Sequence, residues 1–336
     1  MEIKAIDGSK PVSGQYLIIE NQFRTAKNGS NYLALKISDQ TGEMSAKVWD
    51  ADETLYQRLE VGKIIELCNI QPKLFNDQIQ LEWEAKNNGA FKLAPDSEAN
   101  VAKFLPHAPG NLAEYWNYIN DTIHTINEPS LRKILNVFFG DQDFVDRFIR
   151  VPAAIKRHHV YVGGLLEHTA GVTAICRSAA DYYPLVNKDL LLAGAIIHDI
   201  GKTKTYRMER GFDGTDQGKL IGHLVLGVNM IEQAIYDLFG KRADDLDDPI
   251  LLSLIHLLVS HHGIMEWGSP VEPLTLEACI LHHADNMDAQ ITKFLTVIRN
   301  QNQEGAWAAF DPGLGRSIYL KGISGKVESE KISEGA

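Results

Sequence analysis

The sequence predicts two domains of opposite class, a small all-β barrel over residues 12–86 and an all-α helical bundle from residue 111. Three observations carry this. Up to residue 86, runs rich in β-branched and aromatic residues are separated by turn signals. Residues 87–110, "NNGAFKLAPDSEANVAKFLPHAPG", hold three prolines and no sustained period, as a linker does. From Asn111, apolar residues recur at helical spacing, with interruptions, to about residue 300. A chain of 336 residues is long enough to bury two cores.

In order along the chain, "GQYLIIENQFRTAK" reads as a strand and "KNGS" supplies an Asn-Gly turn. "NYLALKIS", the turn "DQTG" and "EMSAKVWD" give two more strands, and "ADETLYQRLE" one short helix. "KIIELCNIQPKLF" and "QIQLEWEAK", joined through "FNDQ", complete the set. Three strands, a helix and two strands is the element order of an OB-fold barrel. After the linker, Asn111 is placed to cap the first helix, with Glu114 three residues on. The bundle is expected over residues 111–310, and residues 311–336 form a C-terminal segment ending in the polar, frayed tail "KVESEKISEGA".

Hydrophobic residues make up 44% and charged residues 23% of the chain, ordinary values for a globular protein. No apolar run approaches the roughly 18 residues of a membrane span, and the N-terminus lacks a signal-peptide layout. Cys68, Cys176 and Cys279 are widely spaced among apolar residues and are expected to be small core residues of a reducing compartment. The expectation is a cytoplasmic protein without a membrane partner. A net charge of −11 argues against a general basic coat for nucleic acid. It leaves open a local basic groove, and bound divalent cations can supply positive charge where a phosphate must sit.

The helical half collects ligand-type residues at helix ends and on apolar faces. His168 shares a face with Val172, Ile175 and Ala179. The run "LLLAGAIIHDIGK" carries an apolar helix straight into His198 and Asp199, with Gly201 expected as a left-handed cap. His223 shares a face with Gly227 and Met230. "LLVSHHG" ends a helix on His261, His262 and a capping Gly263, and Asp285 lies with Ala278, Leu281 and Asp288. Any one of these is readily explained as a hydrogen-bonded core residue. Five helices that each bring an imidazole or carboxylate inward point instead to a cation, since burying such groups unpartnered costs several kcal/mol. Imidazole and carboxylate suit Mn, Fe, Co or Zn, and a bundle core gathers ligands from facing helices.

The ordered pattern His168, His198-Asp199, Asp285 resembles the HD-domain superfamily of metal-dependent phosphohydrolases, and His223 with His261-His262 resembles its two-metal subset. The resemblance implies one ion held by His168, His198, Asp199 and Asp285. It implies a second held by His223 and one of His261 and His262, with Asp199 bridging. Two such cations would activate a water and clamp phosphate oxygens. Lys202 is a candidate phosphate contact, or a plain cation at a helix C-terminus. "KRHH", Lys156, Arg157, His158 and His159, is a candidate phosphate-binding run or a solvated helix start. His107, His124, His256, His282 and His283 match no position of the pattern and read as structural.

In the β half, Phe23, Tyr32, Trp49 and Phe75 are candidate base-stacking platforms, with Lys27, Lys36, Lys47 and Lys73 supplying charge. The alternative is that Trp49 and Trp83 fill the barrel. An OB-like domain joined to "RVPAAIKRHHVYVGGLLEHTAGV" and "DQGKLIGHLVLGV" resembles the YhaM family of bacterial 3′→5′ exoribonucleases over nearly the whole chain. The resemblance implies Mn²⁺- or Co²⁺-dependent removal of nucleotides from the 3′ end of single-stranded RNA, with single-stranded DNA a further candidate. Manganese is the favoured ion, Fe²⁺ and Zn²⁺ remaining open, as does a homo-oligomer. Rival readings are an HD nucleotide phosphohydrolase acting on dNTPs or nucleoside monophosphates, and a non-enzymatic OB nucleic-acid binder. A cyclic-dinucleotide enzyme is disfavoured because "HHGIMEWGSPVEP" lacks a Gly-Tyr-Pro signature.

Overall fold

The computed structural model describes residues 1–75, 78–87, 89–94, 101–155, 159–208, 211–245, 247–299 and 305–321. The N-terminal half contains β1 (Val12–Thr25), β2 (Asn31–Asp39), β3 (Gly42–Trp49), α1 (Glu53–Arg58), β4 (Ile64–Ile70), β5 (Pro72–Phe75), β6 (Gln78–Glu84) and β7 (Phe91–Leu93). One sheet runs β5-β6-β3-β2-β1-β4-β7. The long β1 is shared: Val12 to Leu17 pair with β4, and Leu17 to Thr25 with β2. The β3–β6 pairing is parallel, the connection between them running through α1, β4 and β5. With three strands, a helix and then the remaining strands in this order, the sheet is an OB-type barrel.

Alternation sets its core. Leu33, Leu35 and Ile37 of β2 and Met44, Ala46 and Val48 of β3 are buried, while Tyr32, Lys36, Lys47 and Trp49 lie on the other face. The turns form as their residues dictate. Gly29 takes φ +84° in the Asn-Gly turn, and the Asp39 carboxylate accepts from the Thr41 N–H (2.8 Å) and hydroxyl (2.6 Å). Asp52 caps α1 by accepting from the Leu55 N–H at 2.8 Å.

Two details depart from the sequence reading. "KIIELCNIQPKLF" is two strands, because Pro72 has no N–H to continue the β4 ladder and begins a new pairing with β6. Within the expected linker, Phe91–Leu93 pairs antiparallel with β4; three residues are too few to show a period.

The second half contains α2 (Leu112–Thr125), α3 (Pro129–Phe139), α4 (Gln142–Arg150), α5 (Gly164–Tyr182), α6 (Lys188–Ile197) and α7 (Lys202–Thr205). A small ribbon of β8 (Tyr206–Arg207) and β9 (Asp213–Gly214) precedes α8 (Asp216–Leu220), α9 (His223–Phe239), α10 (Pro249–Ser260) and α11 (Leu276–Arg299). Side chains of Asn111, Glu128, Asp141, Asn187, Thr215 and Asp248 cap their helices. In α6 every residue from Leu190 to Ile197 is buried. A helix apolar on all sides belongs at the centre of a bundle, and α6 packs among α5, α10 and α11. Among the described residues, no helix is long and apolar enough to cross a membrane.

Leu17 and Ile64 of the barrel pack with Val101, Leu105 and Val162, a small apolar cluster that seats one half on the other. Of the cysteines only Cys176 is buried; Cys68 on β4 and Cys279 on α11 are exposed, because each falls on the outward face of its element. The terminal tail from residue 322 lies outside the described residues.

Candidate metal centre

The helices of the bundle bring seven sequence-predicted residues to one place. His168 projects from α5 and Asp285 from α11; His198 and Asp199 end α6; His223 begins α9; His261 and His262 follow α10. His168, His198, Asp199 and His261 are each no more than 2% exposed.

Their ring orientations are set by backbone and carboxylate acceptors. His198 donates from Nδ1 to the Ala195 carbonyl and His261 to the Leu258 carbonyl, each at 2.8 Å and three residues back. His262 donates from Nδ1 to the Trp267 carbonyl at 2.7 Å. His168 Nδ1 meets Asp288 Oδ2 at 2.6 Å. In all four rings Nδ1 is committed outward, which leaves Nε2 for the centre, the arrangement by which an outer partner fixes a metal-binding imidazole.

Asp199 stands between two sets of these nitrogens. Its Oδ2 lies 3.4 Å from His168 Nε2 and 3.3 Å from His198 Nε2, and its Oδ1 lies 3.4 Å from His223 Nε2 and 3.7 Å from His261 Nε2. Asp285 Oδ1 closes the first set at 3.2 Å from His168 Nε2. Ligand atoms of His168, His198 and Asp285 could hold one ion, and those of His223, His261 and His262 another. The pair His261-His262, which the sequence left unresolved, therefore enters as two candidate ligands.

Whether a cation fits can be tested on the polar atoms themselves. Among the described residues, the buried atoms Asp199 Oδ1, His223 Nε2 and His261 Nε2 have no hydrogen-bond partner. His168 and His198 face each other Nε2 to Nε2 at 3.2 Å, close enough for one electrophile, a proton or a metal ion, to serve both rings. Stranded acceptors of this kind cost about 1–3 kcal/mol each, and one electrophile satisfies them together. The residues present fit a divalent metal.

The charges agree. Burial opposes ionisation of Asp199, but Lys202, His198 and His168 overcome it and hold the carboxyl well below its ordinary range. Asp285 is held low against burial mainly by its hydrogen bond to His168. Burial also opposes charge on His168, yet Asp199, Asp285 and Asp288 keep its imidazolium well above the usual value. Burial pulls His223 well below its usual value, and His262 below it. The cluster is thus carboxylate-rich on one side and neutral imidazole on the other.

Other candidate residues fall as follows. Lys202 is buried with its ammonium against Asp199 Oδ2, inside the cluster. His159 is buried behind His168, with Nδ1 2.8 Å from the Tyr161 hydroxyl and Nε2 3.0 Å from Asp288 Oδ2. Both its ring nitrogens are engaged, so it offers none to a phosphate, contrary to expectation. Lys156, Arg157 and His158 lie outside the described residues. Gly201 is not left-handed: at φ −62° it is helical, and glycine is needed because a Cβ would lie 2.0 Å from the His223 carbonyl oxygen. Gly263 does take φ +85°. His256 accepts the Leu274 N–H, and His282 donates to the His261 carbonyl, both structural contacts.

Asp288 is the site residue whose role sequence reasoning missed. It stands three residues after Asp285 on the same helix face, the one signal that could have marked it. Gly171 of α5 makes room for its carboxylate, a Cβ there falling 2.2 Å from Asp288 Oδ1.

On the barrel, Tyr32 and Trp49 pair across β2 and β3 with ring centres 5.0 Å apart. The Lys47 ammonium lies 5.8 Å from the Trp49 ring and 4.3 Å from the half-exposed Phe75. These aromatics share one outer face. Phe23 does not: it is opposite Leu33 on the core side and packs edge-on to Tyr56 at 6.0 Å. Trp83 fills the barrel at 5% exposure, whereas Trp49 is outside it.

Residues 165–290 match the HD-domain family model, a span containing every ligand candidate. The chain is 34% identical over 289 residues to the 3′-5′ exoribonuclease YhaM of Listeria welshimeri, covering 85% of this chain and 87% of that one. It is 33% identical over 281 residues to the 3′-5′ exoribonuclease YhaM of Bacillus subtilis, covering 82% and 84%. The solution structure of an OB domain from Thermoplasma acidophilum aligns with 30% of this chain and 88% of its own, at 12% identity and a TM-score of 0.23. At one-third identity across more than four-fifths of both sequences, the chain belongs to the YhaM family of 3′-5′ exoribonucleases.

Proposed function

We propose that this chain is itself a divalent-metal-dependent 3′-5′ exoribonuclease of the cytoplasm that acts on single-stranded RNA, and on single-stranded DNA by the same chemistry. The observation that carries the reading is Asp199, whose two oxygens face two separate sets of imidazoles. One ion would be held by His168, His198, Asp199 and Asp285, and a second by Asp199, His223, His261 and His262. Manganese suits this mixed nitrogen and oxygen donor set.

When bound, such ions supply Lewis-acid charge to a phosphate and to the attacking water. The protein's own residues do the rest. Asp199 ties the two positions together. Asp288 and His159 hold the His168 ring so that Nε2 faces inward. Lys202 keeps a fixed positive charge against Asp199 within the cluster. The outer barrel face of Tyr32, Trp49 and Phe75, with Lys47 and Lys73, would stack and steady the strand, since base–aromatic stacking tolerates any sequence. The domain limits that go with this reading are a strand-holding barrel at 12–86 and a cutting domain at 111–310.

The test uses full-length protein with Mn²⁺ and a twenty-nucleotide RNA labelled at either end. The 5′ label should pass through a ladder of shortening products, while the 3′ label should leave at once as a mononucleotide. Internal fragments from both labels, or turnover confined to free nucleotides, would refute the proposal. The latter result favours the nucleotide phosphohydrolase.

A further inference from the structure

Beside the metal centre lies a cavity of about 420 Å³, within the range of roughly 300–1,000 Å³ typical of small-ligand sites. Two of its lining residues are His223 and His262, imidazoles of the cluster; the others are glycine or apolar, among them Ile221, Val225, Val228, Val259 and Trp267. These come from separate elements: the turn before α9, the first turns of α9, the end of α10, and the short helical turn Met265–Trp267. Val225 and Trp267 are 50% and 54% exposed, so large apolar groups stand in water at the mouth of a buried polar centre. Trp267 is also tied to the cluster, since its carbonyl accepts the His262 Nδ1–H at 2.7 Å.

Resting on the exoribonuclease reading, we propose that this pocket receives the nucleobase adjoining the scissile phosphate. A phosphodiester held at the His and Asp cluster has one apolar part within reach, the flat heterocycle one ribose away. Because the pocket shares His223 and His262 with the cluster, a group seated in it lies within reach of a phosphate held there. Substrate can fill the pocket and still leave the centre working. The pocket has valine, isoleucine and indole surface and, apart from the two imidazoles and the indole N–H, no polar side-chain group among its described lining residues, so it grips a base mainly by its faces. It offers few groups with which to read a hydrogen-bonding pattern, which suits an enzyme that must accept each base in turn.

The experiment compares ordinary RNA with strands carrying an abasic ribose at the 3′-terminal or the penultimate position, using full-length wild type and Trp267→Ala with Mn²⁺. For wild type, one of the two abasic strands should lose roughly tenfold in kcat/KM, a decade corresponding to about 1.4 kcal/mol and lying at the lower end of base–aromatic stacking. Trp267→Ala should lose a similar factor on ordinary RNA and should no longer distinguish the abasic strand. Its Mn²⁺ binding by calorimetry should match wild type, because the backbone carbonyl that orients His262 remains. Undiminished wild-type turnover of both abasic strands overturns the pocket assignment alone, without reference to any variant. So does a Trp267→Ala enzyme that loses the same factor on ordinary and abasic strands. A wild type inert towards every RNA overturns the exoribonuclease reading, and this one with it.

Discussion

Replacing Gly201 with alanine should loosen the metal centre from a distance, and its sign can be worked out from two opposing effects. At φ −62° and ψ −20° the position accepts any residue, and on unfolded-state entropy alone Gly→Ala would stabilise by about 0.4–1 kcal/mol. Against this, the new Cβ would sit 2.0 Å from the His223 carbonyl oxygen and 2.6 Å from the Gly227 nitrogen. Both atoms are backbone of the first turns of α9, so no side-chain rotation relieves the clash. Reaching ordinary contact at 3.4 Å needs the helix to withdraw by about 1.4 Å, the difference from 2.0 Å. Overpacking of this kind costs about 1–3 kcal/mol, or more where nothing can yield, and it outweighs the entropic gain. A net loss of about 2 kcal/mol lowers Tm by roughly 4–8 °C in a domain of this size. His223 leads α9, so its Nε2 should also leave its place 3.4 Å from Asp199 Oδ1 and Mn²⁺ binding should weaken. Thermal unfolding in chelator, then calorimetric titration with Mn²⁺, reads the two effects separately. Gly227→Ala is the control: its Cβ would meet its nearest neighbour at 3.4 Å, and it should be neutral or stabilising. A Gly201→Ala protein with unchanged or raised Tm would refute the reasoning.

Other substitutions probe the remaining parts. Asp199→Asn keeps the shape but loses the charge that serves both imidazole sets; RNA hydrolysis should fall by at least the roughly 10²–10⁴ typical of one catalytic group, and more than a tenth of wild-type activity would sink the bridging role. His223→Ala should reduce the bound metal per chain, measured by elemental analysis, while His168, His198 and Asp285 retain theirs; equal stoichiometry in both proteins would mean that His223 is no ligand. Asp288→Asn should weaken Mn²⁺ binding by about 10–100-fold, the usual effect of removing an outer partner of a ligand histidine, and an unchanged calorimetric isotherm would contradict that role. Tyr32→Ala and Trp49→Ala should each raise KM for a twenty-nucleotide strand with kcat preserved, whereas Phe23→Ala, a core-side change, should lower Tm instead. A Tyr32→Ala enzyme with wild-type KM would remove the barrel face from strand binding.

The sequence by itself determined the division into barrel and bundle, because strand and helix periods and the turn residues between them are local properties. It also marked a set of inward candidate ligands: His168, His198, Asp199, His223 and Asp285 all sit where a helix face or end turns towards a core, and that is legible from spacing. What it left open depends on which helices are neighbours. Period places His168 on an inward face but says nothing of Asp288, 120 positions away, whose carboxylate orients its ring. The same limit made His159 look like a surface cation, when the fold buries it against Asp288 and Thr292. Gly201 looked like a cap because glycine at a helix end usually is one; only the approach of α9 shows that the missing Cβ is the point. Tyr32 and Trp49 were legible as aromatics and Phe23 equally so, yet register across β1, β2 and β3 sent two outward and one inward. Which oxygen of Asp199 faces which imidazoles, and the apolar pocket beside them, arise where α6, α9 and α10 converge. That convergence is set by the packing of whole helix faces against one another, a sum over many distant contacts that no short stretch of sequence contains.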